Sequence, residues 1–123
     1  AAGMMKGGYD PTLDYDEASR ALLAQPALSA GVKPVVDASI PQVEGILMKN
    51  RASGKMAVVL MNWAFRQREC MAFDDMQITV RGIENLKAAR SIALQQPLKK
   101  EPSEHGTRIR LPRMEEGDIL LFE

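Results

Sequence analysis

The spacing of apolar residues changes near Pro34. Before it they recur at helical intervals; after it, short apolar runs alternate with turn residues. The stretch "LDYDEASRALLAQP" predicts a helix over residues 14–25. Asp14 suits the N-cap, and Glu17, three residues on, suits the returning bond of a capping box. Ala18, Ala21 and Leu22 fall on one face. Pro26 is expected to end the helix, because a proline steers the residue before it out of helical torsions. Residues 1–13, with three glycines and a proline, read as an arm.

From Pro34 onward, β-branched and large apolar runs predict strands near 34–37, 43–51, 55–63, 76–82, 88–95, 107–111 and 118–123. This pattern predicts an all-β fold, an antiparallel β-sandwich of about seven strands with one N-terminal helix. The expected organisation is an arm and helix at residues 1–33, serving as a linker or the tail of a preceding domain, and a sandwich domain at 34–123. "RASGK" reads as a hairpin loop in which Gly54 supplies a positive φ. "LKKEPSEHGT" reads as a second turn, broken by Pro102 and Gly106, and "EEGD" as a third.

The most apolar run, "VVLMNW" at 58–63, ends on the sole tryptophan. Side chains alternate across a strand. Met56, Val58, Leu60 and Asn62 then share one side, and Ala57, Val59, Met61 and Trp63 the other. Both sides are apolar, which predicts a central strand covered on both faces. Trp63 is expected to close one end of the core, its indole N–H bonded to a backbone carbonyl, with Asn62 as a turn former. A competing reading makes Asn62, Trp63 and Phe65 a carbohydrate-contacting surface, with Trp63 as the stacking ring. Six aromatic residues in the whole chain are a thin supply for that role. Met48, Met56, Met61, Met71 and Met76 follow the strand pattern and are expected to fill gaps in the core.

Composition narrows the function classes. Lys plus Arg equals Asp plus Glu, at 16 each, so nothing favours a nucleic-acid or anionic-membrane partner, whose binding rests on excess positive charge. No apolar run approaches the ~20 residues needed to span a bilayer. A lone cysteine, Cys70, forms no intrachain disulfide and leaves the cellular compartment open. It reads as a small buried or half-buried thiol, without a local signature that would pair it with His105, the only histidine. That histidine, in the polar segment "SEHGT", brings no second ligand for a metal. The carboxylates cluster at Asp14/Asp16/Glu17, Asp74/Asp75 and Glu115/Glu116/Asp118, at a helix start and in turns, where acids cap and solvate. No catalytic, metal or cofactor-binding residue is assigned.

The order of segments carries a family likeness. A helix is followed by "AGVKPVV", "SIPQVEGILM", a strand ending in Asn62-Trp63, "MQITVRGIENLKAARSIALQQPL" and a closing "RIRLPRMEEGDILLFE". Residues 20–123 resemble the C-terminal β-sandwich of large bacterial glycoside hydrolases related to the trimerising β-galactosidases. In such enzymes a TIM barrel carries two catalytic glutamates, a flavodoxin-like domain follows, and a small sandwich closes the chain. Similar sandwiches also end α-amylase-like and α-galactosidase-like enzymes. The matching region contains no catalytic residue of the family, and the "FRQREC" segment after Trp63 departs from it. The resemblance implies a non-catalytic accessory domain at the C-terminal end of a longer protein. It would pack against the preceding domains of the same polypeptide and support association of subunits. Tyr15, Leu22, Leu23 and Leu28 are the expected docking residues on the helix.

Overall fold

The structure, a computed structural model, describes residues 17–123. Contacts divide the chain into two compact units, one ending at Pro34 and the other running from Val35 to Glu123. The first unit contains helix α1 (Glu17–Ser29). Its expected cap, Asp14, lies outside the described residues, as does Tyr15. Pro26 lies inside the helix and does not end it. The carbonyl of Pro26 itself accepts from the Ala30 N–H at 3.1 Å, so the helical ladder continues beyond the ring. The true stop is Gly31, at φ +77°. Its N–H donates to the Leu28 carbonyl at 3.0 Å, and the next N–H, of Val32, donates to Ala27 at 2.9 Å. That pair of bonds is a Schellman closure, which needs a left-handed residue where Gly31 stands.

The second unit is built from antiparallel strands. The first three are β1 (Val36–Ala38), β2 (Val43–Lys49) and β3 (Met56–Asn62). Next come the short pair β4 (Phe65–Arg66) and β5 (Glu69–Cys70), then β6 (Phe73–Arg81), β7 (Ala89–Ser91) and β8 (Gln96–Pro97). The last three are β9 (Lys99–Ser103), β10 (Gly106–Met114) and β11 (Gly117–Phe122). One sheet has the order β1-β6-β10-β9, a second the order β2-β3-β11-β7-β8, and β4 pairs only with β5. Both large sheets line a single apolar core. Val36, Met76, Ile78, Val80, Ile109 and Leu111 enter it from the first sheet. Val43, Val58, Leu60, Ala89, Leu120 and Phe122 enter from the second. In β11 the alternation is complete: Asp118, Leu120 and Phe122 point inward, Ile119 and Leu121 outward. Such burial of large aliphatic side chains contributes roughly 1.5–3 kcal/mol each and outweighs any single polar contact in the domain.

Gly45 on β2 shows how closely the sheets approach. A Cβ built there would collide with Val36 Cγ1 on β1, so a side chain at this point requires Val36 to shift. The hairpin over "RASGK" forms as expected, with Gly54 at φ +71°. Asn50 supplies the turn chemistry, its Oδ1 accepting from the N–H groups of Ala52 and Ser53 at 2.9 and 3.0 Å. The "EEGD" turn also forms, between β10 and β11.

Three expectations need correction. The described residues hold eleven strands, more than the apolar pattern predicts, because several are two- or three-residue pairs too short to imprint a periodicity. "LKKEPSEHGT" is largely strand: β9 pairs with β10 from Lys99 to Ser103, leaving only Glu104 and His105 as the turn. Its side chains are charged because it is an edge strand, and an edge also tolerates Pro102, whose missing N–H has no ladder to break. The methionines do not all fill the core. Met76 is buried and Met56 packs against the core, but Met48 and Met71 are exposed and Met61 is half-buried.

Candidate functional site

Asn62 and Trp63 exchange the roles expected of them. Asn62 ends β3 on its inward side and is 4% exposed. Its Nδ2 donates to the carbonyls of Met71 at 2.6 Å and Glu115 at 2.8 Å, while its Oδ1 accepts from the Ala64 N–H at 3.0 Å. The amide thus pins the chain after β3 to the β10–β11 turn. All three of these bonds are made inside the protein. Trp63 takes the outward side and is 47% exposed. Its indole N–H donates at 3.0 Å to Oε2 of Glu44 on the neighbouring β2, not to a backbone carbonyl. The cause is parity: once Asn62 turns inward to satisfy two carbonyls, the next side chain must point out.

Phe65, the third candidate contact, opens β4 and is 40% exposed. The hairpin β4–β5 turns on Gln67 and Arg68, at φ +51° and +67°. Two successive left-handed residues make the tight turn that matches strand twist, here without the glycine or asparagine that usually occupies it. Phe65, Arg68, Cys70, Leu94, Arg113 and Glu116 are among the residues that line an open groove of about 710 Å³. Trp63 does not line it, so the two exposed aromatics are not brought together there. Cys70 is half-buried, its Sγ 3.9 Å from the Glu115 carbonyl. Burial pushes its thiol pKa up, and the carboxylates of Glu116 and Glu115 add to the rise. The thiolate is the disfavoured form, the reverse of what a nucleophile needs. His105 sits at the opposite end of β10, a nine-residue strand and so ~27 Å away along it. Its nearest charged neighbour is Glu104, at 3.8 Å.

Of the acidic clusters, Asp14 and Asp16 lie outside the described residues, whereas Asp74, Asp75 and Asp118 hold strands together. Asp75 forms a two-pronged pair with Arg110, and Asp74 meets Arg113 at 3.0 Å, both across the β6–β10 pair. The guanidinium of Arg110 holds the Asp75 carboxyl below its ordinary pKa. Asp118 is buried on β11, where its Oδ2 accepts from the Ser91 hydroxyl and its Oδ1 from the N–H groups of Ala93 and Ile119. Among the described residues no group of three His, Cys, Asp or Glu side chains is placed to hold a metal ion. Among the described residues no helix is long and apolar enough to cross a membrane.

No protein-family model matches the sequence, and no curated protein does. A solved structure matches the fold. It is the α-L-fucosidase isoenzyme 2 from Paenibacillus thiaminolyticus, with a TM-score of 0.65 at 12% sequence identity. The likeness covers 83% of this chain but only 17% of that one. At such low identity the shared property is the fold. The neighbour is a glycoside hydrolase, the class that the sequence resemblance implies, and it is a fucosidase, not a β-galactosidase.

Of the docking residues expected on α1, Leu22, Leu23 and Leu28 are exposed, while Tyr15 lies outside the described residues. Sequence reasoning missed the surface that the second unit presents. Ile46, Met48, Ile119 and Leu121 are all exposed on the outer side of the five-stranded sheet. The signal was available in "VVLMNW", whose two apolar sides implied a cover over each face. Only one of those covers is supplied by the opposite sheet.

Proposed function

We propose that this chain is a non-catalytic accessory β-sandwich domain from the C-terminal region of a glycoside hydrolase, and that it packs against the domains preceding it. The observation that carries the proposal is the fold: 83% of this chain matches a portion amounting to 17% of a fucosidase chain at a TM-score of 0.65. The state of the acidic side chains supports it. Asp74, Asp75 and Asp118 are bound to arginines, to a serine hydroxyl and to backbone N–H groups, whereas a glycosidase needs two carboxylates facing each other across a sugar. The test is an assay of the 123-residue chain against a panel of nitrophenyl glycosides, together with a reading of the coding frame upstream. No turnover, and a hydrolase barrel upstream, is the expected result. Turnover by the chain itself, or a frame with no hydrolase domain, would overturn it.

The type of parent enzyme follows from substrate. The segment order points to the trimerising β-galactosidase type, and the fold neighbour to a fucosidase. Hydrolysis of β-galactosides or α-fucosides by the full polypeptide separates the two, and its sedimentation reports whether the domain also supports subunit association.

A second reading, a carbohydrate-binding module, draws on the exposure of Trp63 and Phe65. Trp63 is its own reporter, being the only tryptophan. A saturating change in its emission with one sugar of a mono- and oligosaccharide panel would favour the module. An emission unmoved by every sugar favours the structural role.

A further inference from the structure

The two large sheets turn opposite kinds of surface outward. The outer side of the sheet β1-β6-β10-β9 is charged and internally paired. Arg110 binds Asp75, Arg108 meets Glu101 at 3.2 Å, and Arg81 lies 3.6 Å from Asp37. Guanidiniums and carboxylates paired in this way are at home in water.

The outer side of the other sheet is apolar in register. Ile46, Val59 and Ile119 form one row across β2, β3 and β11, and Met48, Ala57 and Leu121 form the next. Met61 continues the strip along β3 towards Trp63. The flanking rows of isoleucine, methionine and leucine are exposed and the central strand is half-buried between them. Two charged side chains that reach this side have hydrogen-bond partners, Glu44 in the Trp63 indole and Arg90 in the Gln95 carbonyl at 3.1 Å, and Lys55 and Glu123 lie just beyond the ends of the strip. The largest apolar patch on a protein of this kind is often functional.

Its size selects the occupant. Three strands spaced ~5 Å apart, over six residues of rise, give a strip ~15 Å wide and ~20 Å long, or ~300 Å². A stable dimer of separate chains needs roughly 800 Å² on each partner. Contacts between domains of one polypeptide begin at roughly 300 Å² a side, because the covalent link removes most of the association cost. We propose that the outer face of the five-stranded sheet, centred on Val59 and edged by Ile46, Met48, Ile119 and Leu121, docks on an uncharged apolar surface of an adjoining domain of the same polypeptide. The proposal rests on the accessory-domain reading and names the face through which it acts.

The test is carbene footprinting of the 123-residue chain and of the full parent polypeptide. Met48, Ile119 and Leu121 are expected to label in the chain alone and to lose that labelling in the parent, while Arg110 and Lys99 on the opposite sheet label equally in both. Ile119→Lys, an outward change, should leave the urea midpoint of the isolated chain unmoved and restore labelling of Leu121 in the parent. Equal labelling of the apolar face in both forms would overturn the proposal. So would labelling that falls with rising concentration of the chain alone, with sedimentation as a dimer, since a second copy would then be the occupant. A glycoside assay on the same parent keeps the two readings apart. An active parent with an open face refutes the docking surface alone, and an inactive parent with a protected face refutes only the hydrolase reading.

Discussion

The hydroxyl of Ser91 on β7 donates to Oδ2 of Asp118 on β11 at 2.5 Å, and both side chains are buried. The same serine oxygen accepts from the Leu94 N–H at 2.9 Å, and the other carboxylate oxygen accepts from Ala93 and Ile119. One carboxylate thereby closes the turn between β7 and β8 and ties it to the last strand. Asp118→Ala would leave the buried Ser91 hydroxyl and the part-buried N–H groups of Ala93 and Ile119 without their acceptor. The expected loss is about 3 kcal/mol of stability, read as a lower midpoint in urea unfolding. A midpoint within error of the parent chain would mean that water replaces the carboxylate there.

Asn62 invites a sharper substitution. Asn62→Asp preserves size and the oxygen that accepts from Ala64, but it replaces the Nδ2 donor by a carboxylate oxygen facing the Met71 and Glu115 carbonyls. Two bonds become two repulsions. The domain should lose about 3 kcal/mol at neutral pH, and regain part of it at acid pH where the new carboxyl carries a proton. Urea titrations at the two pH values would read both effects.

Where β1 crosses β2, Gly45 and Val36 occupy one space. Gly45→Ala should cost about 1–3 kcal/mol, because the new methyl would collide with Val36 Cγ1 and meet Leu60 Cδ2 at 3.2 Å. Val36→Ala removes the first of those atoms. The double variant is therefore expected to be more stable than the sum of the single losses implies, and a double-mutant cycle measures that coupling. Strict additivity would place the strain elsewhere.

Cys70 offers a chemical readout of the groove. Burial, then Glu116, then Glu115 raise its pKa. A thiol raised in the folded protein stabilises the fold fully below its unfolded pKa. That contribution disappears as pH climbs through the folded value, so its window lies on the alkaline side of an ordinary thiol. Glu116→Gln should lower the folded pKa towards the ordinary value and speed alkylation by iodoacetamide at a fixed mildly alkaline pH, without unfolding the chain. An unchanged alkylation profile would mean that Glu116 does not face the sulfur in solution.

Local alternation made much of the β architecture readable in the chain. "VVLMNW" and "GDILLF" alternate over enough residues to declare their strands, and "RASGK" and "EEGD" carry the turn chemistry that separates them. Strand β9 escaped because an edge strand has no buried side-chain set, so "KKEPS" looks like loop by composition alone. Pro26 misled for a related reason: it removes one N–H, but a helix ends only where the chain can reverse, and that required Gly31.

The sequence by itself determined a mostly β, antiparallel fold with one N-terminal helix, because that depends on residue type and on spacing within a few positions. The tertiary structure alone decided the direction in which Asn62 and Trp63 point, since the carbonyls of Met71 and Glu115 that draw Asn62 inward arrive from distant parts of the chain. It also decided which apolar side of β3 is covered. Periodicity says that two faces are hydrophobic. Only sheet packing says that one lies in the core with Ile78 and Ile109 and that the other stays partly exposed.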